Sequence, residues 1–243
     1  MNPFKKKYDK LLEGFDHQQY LAQSTLSLVH QMQERPNATI ADVEICAIWM
    51  AILSWGKPEV ALEAANNLMN RCEWKPSEFV KLGEFIDIPD MEQIYLTLKG
   101  KNFKDVCLKL RYYYINHTSV QDELKINHNT TIEELIEVIS YWTQQARLGS
   151  PARNSACTRI NTLLRWMVRK DDIDLGLWSA DYVKPENLYA IMDYGTAHQA
   201  LQQGLISYSR DSWKAVLELT NVYKDWDPKD PLKYDFVLNP NKT

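Results

Sequence analysis

The sequence predicts an all-α fold. Three observations carry this. Apolar residues recur at three- and four-residue spacings through most of the chain. Only 8 glycines occur in 243 residues. No stretch shows a convincing two-residue alternation of apolar and polar side chains. A composition that is 45% hydrophobic and 25% charged is that of an ordinary globular protein, enough for one large domain or two closely packed lobes.

Taken in order, Tyr20 to Gln33 reads as a helix ended by Arg35-Pro36-Asn37. Thr39 is placed to cap a second helix from Ile40 to Ser54, whose apolar second half predicts burial on most sides. Trp55-Gly56-Lys57-Pro58 breaks it, and Pro58 begins the next helix, with Val60, Ala64 and Leu68 on one face. Pro76 opens a short helix that ends near Gly83. Glu84 to Pro89 is irregular, and Asp90 caps a helix through Leu98. Phe103 to Ile115 is helical with Val106, Leu110 and Tyr113 on a common face. After a cap at Thr130 or Thr131, Ile132, Leu135, Ile136, Ile139, Trp142 and Ala146 form a buried stripe that stops at Gly149-Ser150-Pro151. A helix starting near Ser155 has the apolar face Ala156, Ile160, Leu163, Leu164 and Met167. Its other face carries Ser155, Arg159, Thr162, Trp166 and Arg169. Pro185 begins a short helix, Asp193 precedes another that runs to Gln203, and Trp213 to Tyr223 forms the last long one. Asp227-Pro228, Asp230-Pro231 and Asn239-Pro240 make turns in the tail.

The four cysteines, Cys46, Cys72, Cys107 and Cys157, lie far apart with no CxxC pair, which argues against an iron–sulfur or structural zinc site and suits a reducing cytoplasm. The start, MNPFKKKYDK, lacks the apolar core of a signal peptide. The longest apolar run, Ile45 to Leu53, is well short of the ~20 residues of a membrane span. His17, His30, His117, His128 and His198 show no triad or metal spacing, and no cofactor is expected.

Three constellations could carry chemistry. The chain is formally −4, yet Arg147 to Lys170 holds Arg147, Arg153, Arg159, Arg165, Arg169 and Lys170 and no acid. Such a run at the mouth of a helix is the footprint of phosphate contact. A Gly149-Ser150-Pro151 turn between two helices leaves backbone N–H groups unpaired where the second begins, and these attract an anion. Ser150, Arg153 and Ser155 would add donors. An ordinary turn with solvated arginines is the competing reading. Asp193, after Ile191-Met192, reads either as a plain N-cap or as a carboxylate that stabilises positive charge on a sugar as its base departs. Trp55-Gly56-Lys57 reads as core plus turn, or as an exposed wedge that enters a duplex.

Together these features resemble the helix-hairpin-helix DNA glycosylase superfamily. Ala51 to Lys57 falls where that superfamily has the turn that fills the gap left by a flipped base. Gly149 to Ala156 falls at its phosphate-binding hairpin, and Asp193 at its catalytic aspartate. A closer likeness is to an uncharacterised bacterial branch similar to archaeal 8-oxoguanine DNA glycosylases. It rests on Ser155-Ala156-Cys157, on Leu164 through Asp172 (LRWMVRKDD), on Gly176-Leu177-Trp178, and on Asp227-Pro228 with Asp230-Pro231-Leu232-Lys233-Tyr234-Asp235-Phe236. It covers roughly residues 40 to 238.

The resemblance implies a two-lobed helical fold with a DNA cleft between the lobes: a central lobe of residues 40–146, and a hairpin-bearing lobe of 1–39 plus 147–243. Strand-cleaving members of the superfamily carry a lysine early in the second hairpin helix. Here Thr158 stands at that position, and a threonine forms no imine, so the resemblance implies base removal without lyase action. Tyr194-Gly195-Thr196 departs from the Thr-His or Val-His pair of relatives and would reshape the base pocket. The expected DNA contacts are Ser150, Arg153, Ser155, Arg159, Arg165, Arg169 and Lys57. The expected wedge or pocket residues are Trp55, Gly56, Trp142, Trp166, Tyr194 and Gly195, with Trp142 the one most suited to plain core. The expected partner is double-stranded DNA and the expected state a monomer, with no membrane. The rivals are a catalytically inactive DNA-binding protein of the same fold and a helical protein–protein scaffold.

Overall fold

A computed structural model gives the structure of residues 3–208 and 210–238. The expected turn at Asn239-Pro240 lies outside the described residues. The helices in order are α1 (Pro3–Glu13), α2 (His17–Ala22), α3 (Leu26–Gln33), α4 (Ile40–Leu53), α5 (Pro58–Arg71) and α6 (Pro76–Leu82). A small hairpin, β1 (Gln93–Tyr95) and β2 (Leu98–Lys99), follows. Then come α7 (Gly100–Tyr114), α8 (Val120–Ile126), α9 (Ile132–Trp142), α10 (Thr158–Val168), α11 (Tyr194–Gln202), α12 (Trp213–Trp226) and α13 (Asp235–Leu238). The all-α expectation holds apart from that hairpin. No described helix is long and apolar enough to cross a membrane.

The chain divides into two units. One comprises Leu21–His128 and Val138–Leu148. Its centre is α4, which starts at a capping box: Thr39 Oγ1 accepts from the Asp42 N–H at 3.2 Å, and Asp42 Oδ2 accepts from the Thr39 N–H at 2.9 Å. Each residue from Ile45 to Leu53 is at most 1% exposed, because α3, α5 and α6 close round the helix. Glu44, fully buried, accepts from the Tyr114 hydroxyl at 3.0 Å and from the N–H groups of Val120 and Gln121 at 3.0 and 3.2 Å. That carboxylate anchors the start of α8, an element the periodicity does not announce.

Three sequence expectations fail, the first because the helix expected over Tyr20 to Gln33 is interrupted at residues 23–25, between α2 and α3. The helix expected from Asp90 to Leu98 is the β1–β2 hairpin, turned at Leu96 with φ 42°. Gly100 then packs where a Cβ would overlap the Pro89 carbonyl. The buried face of α5 is Ala61, Ala65, Leu68 and Met69, a rotation of one residue that leaves Val60 exposed.

The other unit gathers the N-terminal residues through Tyr20, Asn129–Glu137 and the chain from Gly149 onward. Thr131 and Glu134 form a capping box at α9. α12 is capped by Ser212 and packs on the turn Pro231–Tyr234, and α1 packs on α13. Tyr8, Tyr223, Trp226 and Tyr234 interlock at ring separations of 5.1–5.7 Å. The division differs from the expected lobes in three places: residues 21–39 go with α4, against which α3 packs, residues 147–148 go with the same unit, and Asn129–Glu137 goes with the unit that holds α10.

Candidate functional site

The basic segment is built by local backbone constraints. α9 ends at Trp142, earlier than the apolar stripe suggests, and Ala146 lies in a separate short turn. Gly149 has φ +94°, and a Cβ there would overlap the Ser155 side chain. Pro151–Arg153 makes one tight turn, Asn154 is left-handed at φ 54°, and Cys157 is left-handed at φ 51°. Ser155 bridges Ser212, while Asn154 accepts from the N–H groups of Trp213 at 3.3 Å and Lys214 at 3.4 Å. The turn is therefore clipped to the mouth of α12, and α10 begins at Thr158 rather than near Ser155. Ser150 and Ser155 are half-buried and Arg153 is exposed.

α10 buries Ile160, Leu163, Leu164 and Met167 as expected. It also buries its other flank near the C-terminal end: Arg165 is 2% exposed, Trp166 1% and Arg169 6%. Arg165 donates to Asp174 at 3.2 Å and to the Tyr20 hydroxyl at 2.8 Å, and lies over the Phe236 ring at 4.2 Å. Arg169 makes a bidentate pair with Asp230 at 2.7 and 3.0 Å and donates to Asp171 at 2.5 Å and Asp174 at 2.9 Å. Burial alone would lower both guanidinium pKa values. The carboxylates around them outweigh it and raise both. Arg165 and Arg169 are thus removed from the expected phosphate contacts, and Trp166 from the expected stacking residues, because the acids that satisfy the arginines arrive from outside the helix. Trp142, 5% exposed and 4.9 Å from the Tyr113 ring, is core.

Asp193 sits at the end of an extended lead-in that has no strand partner among the described residues. Side chains take the partner's place. Thr220 Oγ1 accepts from the Ala190 N–H at 2.9 Å. Asp235 accepts from the Ile191 N–H with both oxygens, at 3.2 and 3.1 Å. The hydroxyl of Thr158 donates to the Met192 carbonyl. Ala190, Ile191 and Met192 are buried, and the half-buried Asp193 emerges to cap α11, Oδ1 accepting from the Thr196 N–H at 2.7 Å. The first residue of α10 and the residue before Asp193 are therefore joined directly. Two buried oxygens in the first turns of these helices, Asn161 Oδ1 and Thr196 Oγ1, have no hydrogen-bond partner.

Around this centre, Tyr194 is 71% exposed and stacks on His198 at 6.4 Å, and Gly195 is half-buried. Arg159 is partly exposed on the first turn of α10. Cys157, next to Thr158, is 1% exposed, and burial pushes its thiol up to about 11, so it holds no thiolate at neutral pH. No group of three or more His, Cys, Asp and Glu side chains suited to a metal ion occurs among the described residues. Trp55, Gly56 and Lys57 lie in the other unit as an exposed turn. Gly56 has φ +82°, Trp55 is 40% exposed with its ring edge-on to Tyr95, and the Tyr95 hydroxyl donates to the Trp55 carbonyl.

Sequence reading overlooked Thr220, Asp235, Asp174 and Asp230. For Asp235 a signal existed: it is a carboxylate flanked by Tyr234, Phe236, Val237 and Leu238, where a charge is rare unless it is paired or hydrogen-bonded. Thr220 carried none. The family-like blocks also gain a physical meaning. RWMVRKDD and DPLKYDF bind each other through Arg169–Asp230 and Arg165–Phe236, and Asp235 of the second holds the lead-in to Asp193.

No curated protein matches the chain, and no solved structure matches it. One family does match, over residues 12–241, under the description "Protein of unknown function (DUF2400)", and the chain belongs to that family.

Proposed function

We propose that the chain is a monofunctional DNA N-glycosylase that takes a flipped, damaged or modified base from duplex DNA and leaves an abasic site. The observation that carries this reading is the join between Thr158 and Met192. Under the resemblance to helix-hairpin-helix glycosylases, Thr158 would stand for the attacking lysine and Asp193 for the catalytic aspartate, and the hydrogen bond joins Thr158 to the residue before Asp193. A half-buried carboxylate on a pinned backbone is suited to stabilise a sugar that becomes cationic as its base leaves. In the proposed reaction the C1′–N bond breaks with its electron pair going to the base. Water directed by Asp193 then bonds to C1′, and its proton passes to the Asp193 carboxylate and from there to the departed base, which leaves neutral base, an abasic sugar hydroxyl and the carboxylate restored. Thr158 offers no amine, so no imine forms and the strand stays whole.

Ser150, Arg153, Ser155 and Arg159 are the proposed phosphate contacts in the unit that holds Asp193, and Lys57 and the Trp55-Gly56 turn are a separate proposed nucleic-acid contact of the other unit. The exposed Tyr194 ring beside Gly195, which has no side chain, is suited to a bulky base: a modified pyrimidine in foreign DNA such as that of a phage, or an oxidised purine. Base excision would then serve defence or repair. Release of bases from several genomic DNAs, followed by mass spectrometry, identifies the substrate.

The test is strand breakage in DNA that contains the released base. Breaks are expected only after heating in alkali, and Asp193→Asn is expected to slow base release by about 10²–10³-fold while duplex affinity stays. Breaks without alkali would remove the monofunctional assignment, and an unchanged rate would remove Asp193. One observation favours a second reading, a DNA-binding protein without catalysis: Asp193 Oδ1 already serves as the α11 cap. That reading expects salt-dependent duplex binding and no released base from any DNA.

A further inference from the structure

The three side chains that replace a strand partner along residues 190–192 do not lie together in sequence. Thr158 opens α10, Thr220 lies in α12, and Asp235 opens α13. Each engages one successive residue of the lead-in: the Ala190 N–H, the Ile191 N–H and the Met192 carbonyl. A main chain left without ladder bonds inside a protein needs its N–H and C=O groups satisfied. Three neutral groups would meet that need. The chain instead commits a carboxylate, 8% exposed, to one N–H with both of its oxygens. Burying a charge is costly unless it is compensated. Here the field of Arg165 compensates it, and Arg165 is itself tied to Asp174.

We infer that Asp235 is a positioning residue, which with Thr158 and Thr220 fixes the backbone so that the Asp193 carboxylate faces the reacting sugar. The inference rests on the glycosylase reading. The single cradle holds residues 190 to 192 on both hydrogen-bonding edges, and the next residue is Asp193. A carboxylate stabilises a developing cation only if it is already in place, and a shift of about 1 Å costs on the order of 10²-fold in rate. Asp235 touches neither the sugar nor the base in this scheme. It acts through Ile191.

The test reads the cation rather than the base, so it needs no knowledge of the substrate. Duplexes are prepared with a cationic pyrrolidine in place of one deoxyribose, or with the neutral tetrahydrofuran analogue, and the ratio of the two dissociation constants is measured. The wild-type protein is expected to prefer the pyrrolidine by about 10²-fold, the lower end for transition-state mimicry. Asp193→Asn is expected to bring the ratio near one. Asp235→Ala is expected to cut the ratio about 10-fold while neutral-duplex affinity is kept, and Asp235→Asn, which retains an acceptor for the Ile191 N–H, restores most of it. A loss of packing alone lowers both affinities together and leaves the ratio. If Asp235→Ala does not fold, Thr158→Val and Thr220→Val carry the test, each expected to lower the ratio severalfold. A wild-type ratio near one overturns the glycosylase reading and the inference with it. A high wild-type ratio that every cradle variant retains overturns the inference alone and leaves the reading standing.

Discussion

The two ends of α10 carry the same residue type for opposite purposes. Near its start, Arg153 in the preceding turn is exposed and makes no ion pair among the described residues, and Arg159 is partly exposed. Near its end, Arg165 and Arg169 are buried and tied to four carboxylate or hydroxyl partners from three parts of the chain: Tyr20 in α2, Asp171 and Asp174 in the turn after α10, and Asp230 in the tail. In sequence the run from Arg147 to Lys170 holds no acid and reads as one basic surface. In space Arg165 and Arg169 are neutralised. A local charge count describes a surface only where the acids that follow stay away, and here Asp171 and Asp174 begin just past the helix and Asp230 returns from the tail.

The largest expected effect follows from the buried end. Arg169→Ala leaves Asp230 without its cation and leaves Asp174, whose side chain is fully buried, with Arg165 alone. Breaking a buried pair from one side typically costs about 3–5 kcal/mol, so the variant is expected to unfold at markedly lower urea concentration than the wild type. A loss under about 1 kcal/mol would mean that the network adds little, and would weaken the contrast between the two ends.

This is also where the sequence was least legible. Periodicity gave the helices α4, α9 and α10, the caps at Thr39, Thr131 and Asp193, and the apolar face of α10, because each depends on neighbours within one or two turns. It failed for Trp166, Arg165 and Arg169, which a helical wheel places on the polar side. Their partners stand up to 145 positions away. Likewise Asp193 was visible as a cap before an apolar lead-in, whereas its support by Thr220 and Asp235 depends on contacts 30 and 44 residues apart. The α5 face was misread by one residue for the same reason: alanines pack against α4, and no local pattern tells Ala61 from Ala64.

A pH titration sharpens the comparison. In the folded protein burial works to raise the Asp171 carboxyl, but the Asp174 N–H and the Arg169 charge outweigh it and hold the pKa below the ordinary aspartate range. A depressed folded pKa means stability that is present above the unfolded value of about 4 and is lost as pH falls through the folded one. Asp227, lowered against burial by Lys233 and by two backbone N–H groups, acts in the same sense. Urea midpoints of wild type and Arg169→Ala are therefore expected to differ most near pH 7 and to converge below about pH 4. A gap that stays constant to pH 3 would place the Arg169 contribution in its packing over Phe236 rather than in its charge pairs.

The smallest effect belongs to the exposed end, and it is the one that decides what that end is for. Arg153 projects from a turn held by Gly149, Ser150 and the Asn154 contacts to α12, none of which uses its side chain. Arg153→Ala should leave stability within about 0.5 kcal/mol of wild type. If the guanidinium meets a phosphate, duplex affinity falls severalfold for every sequence alike. The slope of log affinity against log salt then shrinks by about one, since one fewer counterion is released. Arg169→Lys at the buried end supplies the opposite signature, a loss of stability with the salt slope unchanged, because a single ammonium cannot reproduce the two-pronged contact with Asp230. Equal salt slopes for wild type and Arg153→Ala would take the turn out of the DNA contact and leave the exposed arginine a solvated one.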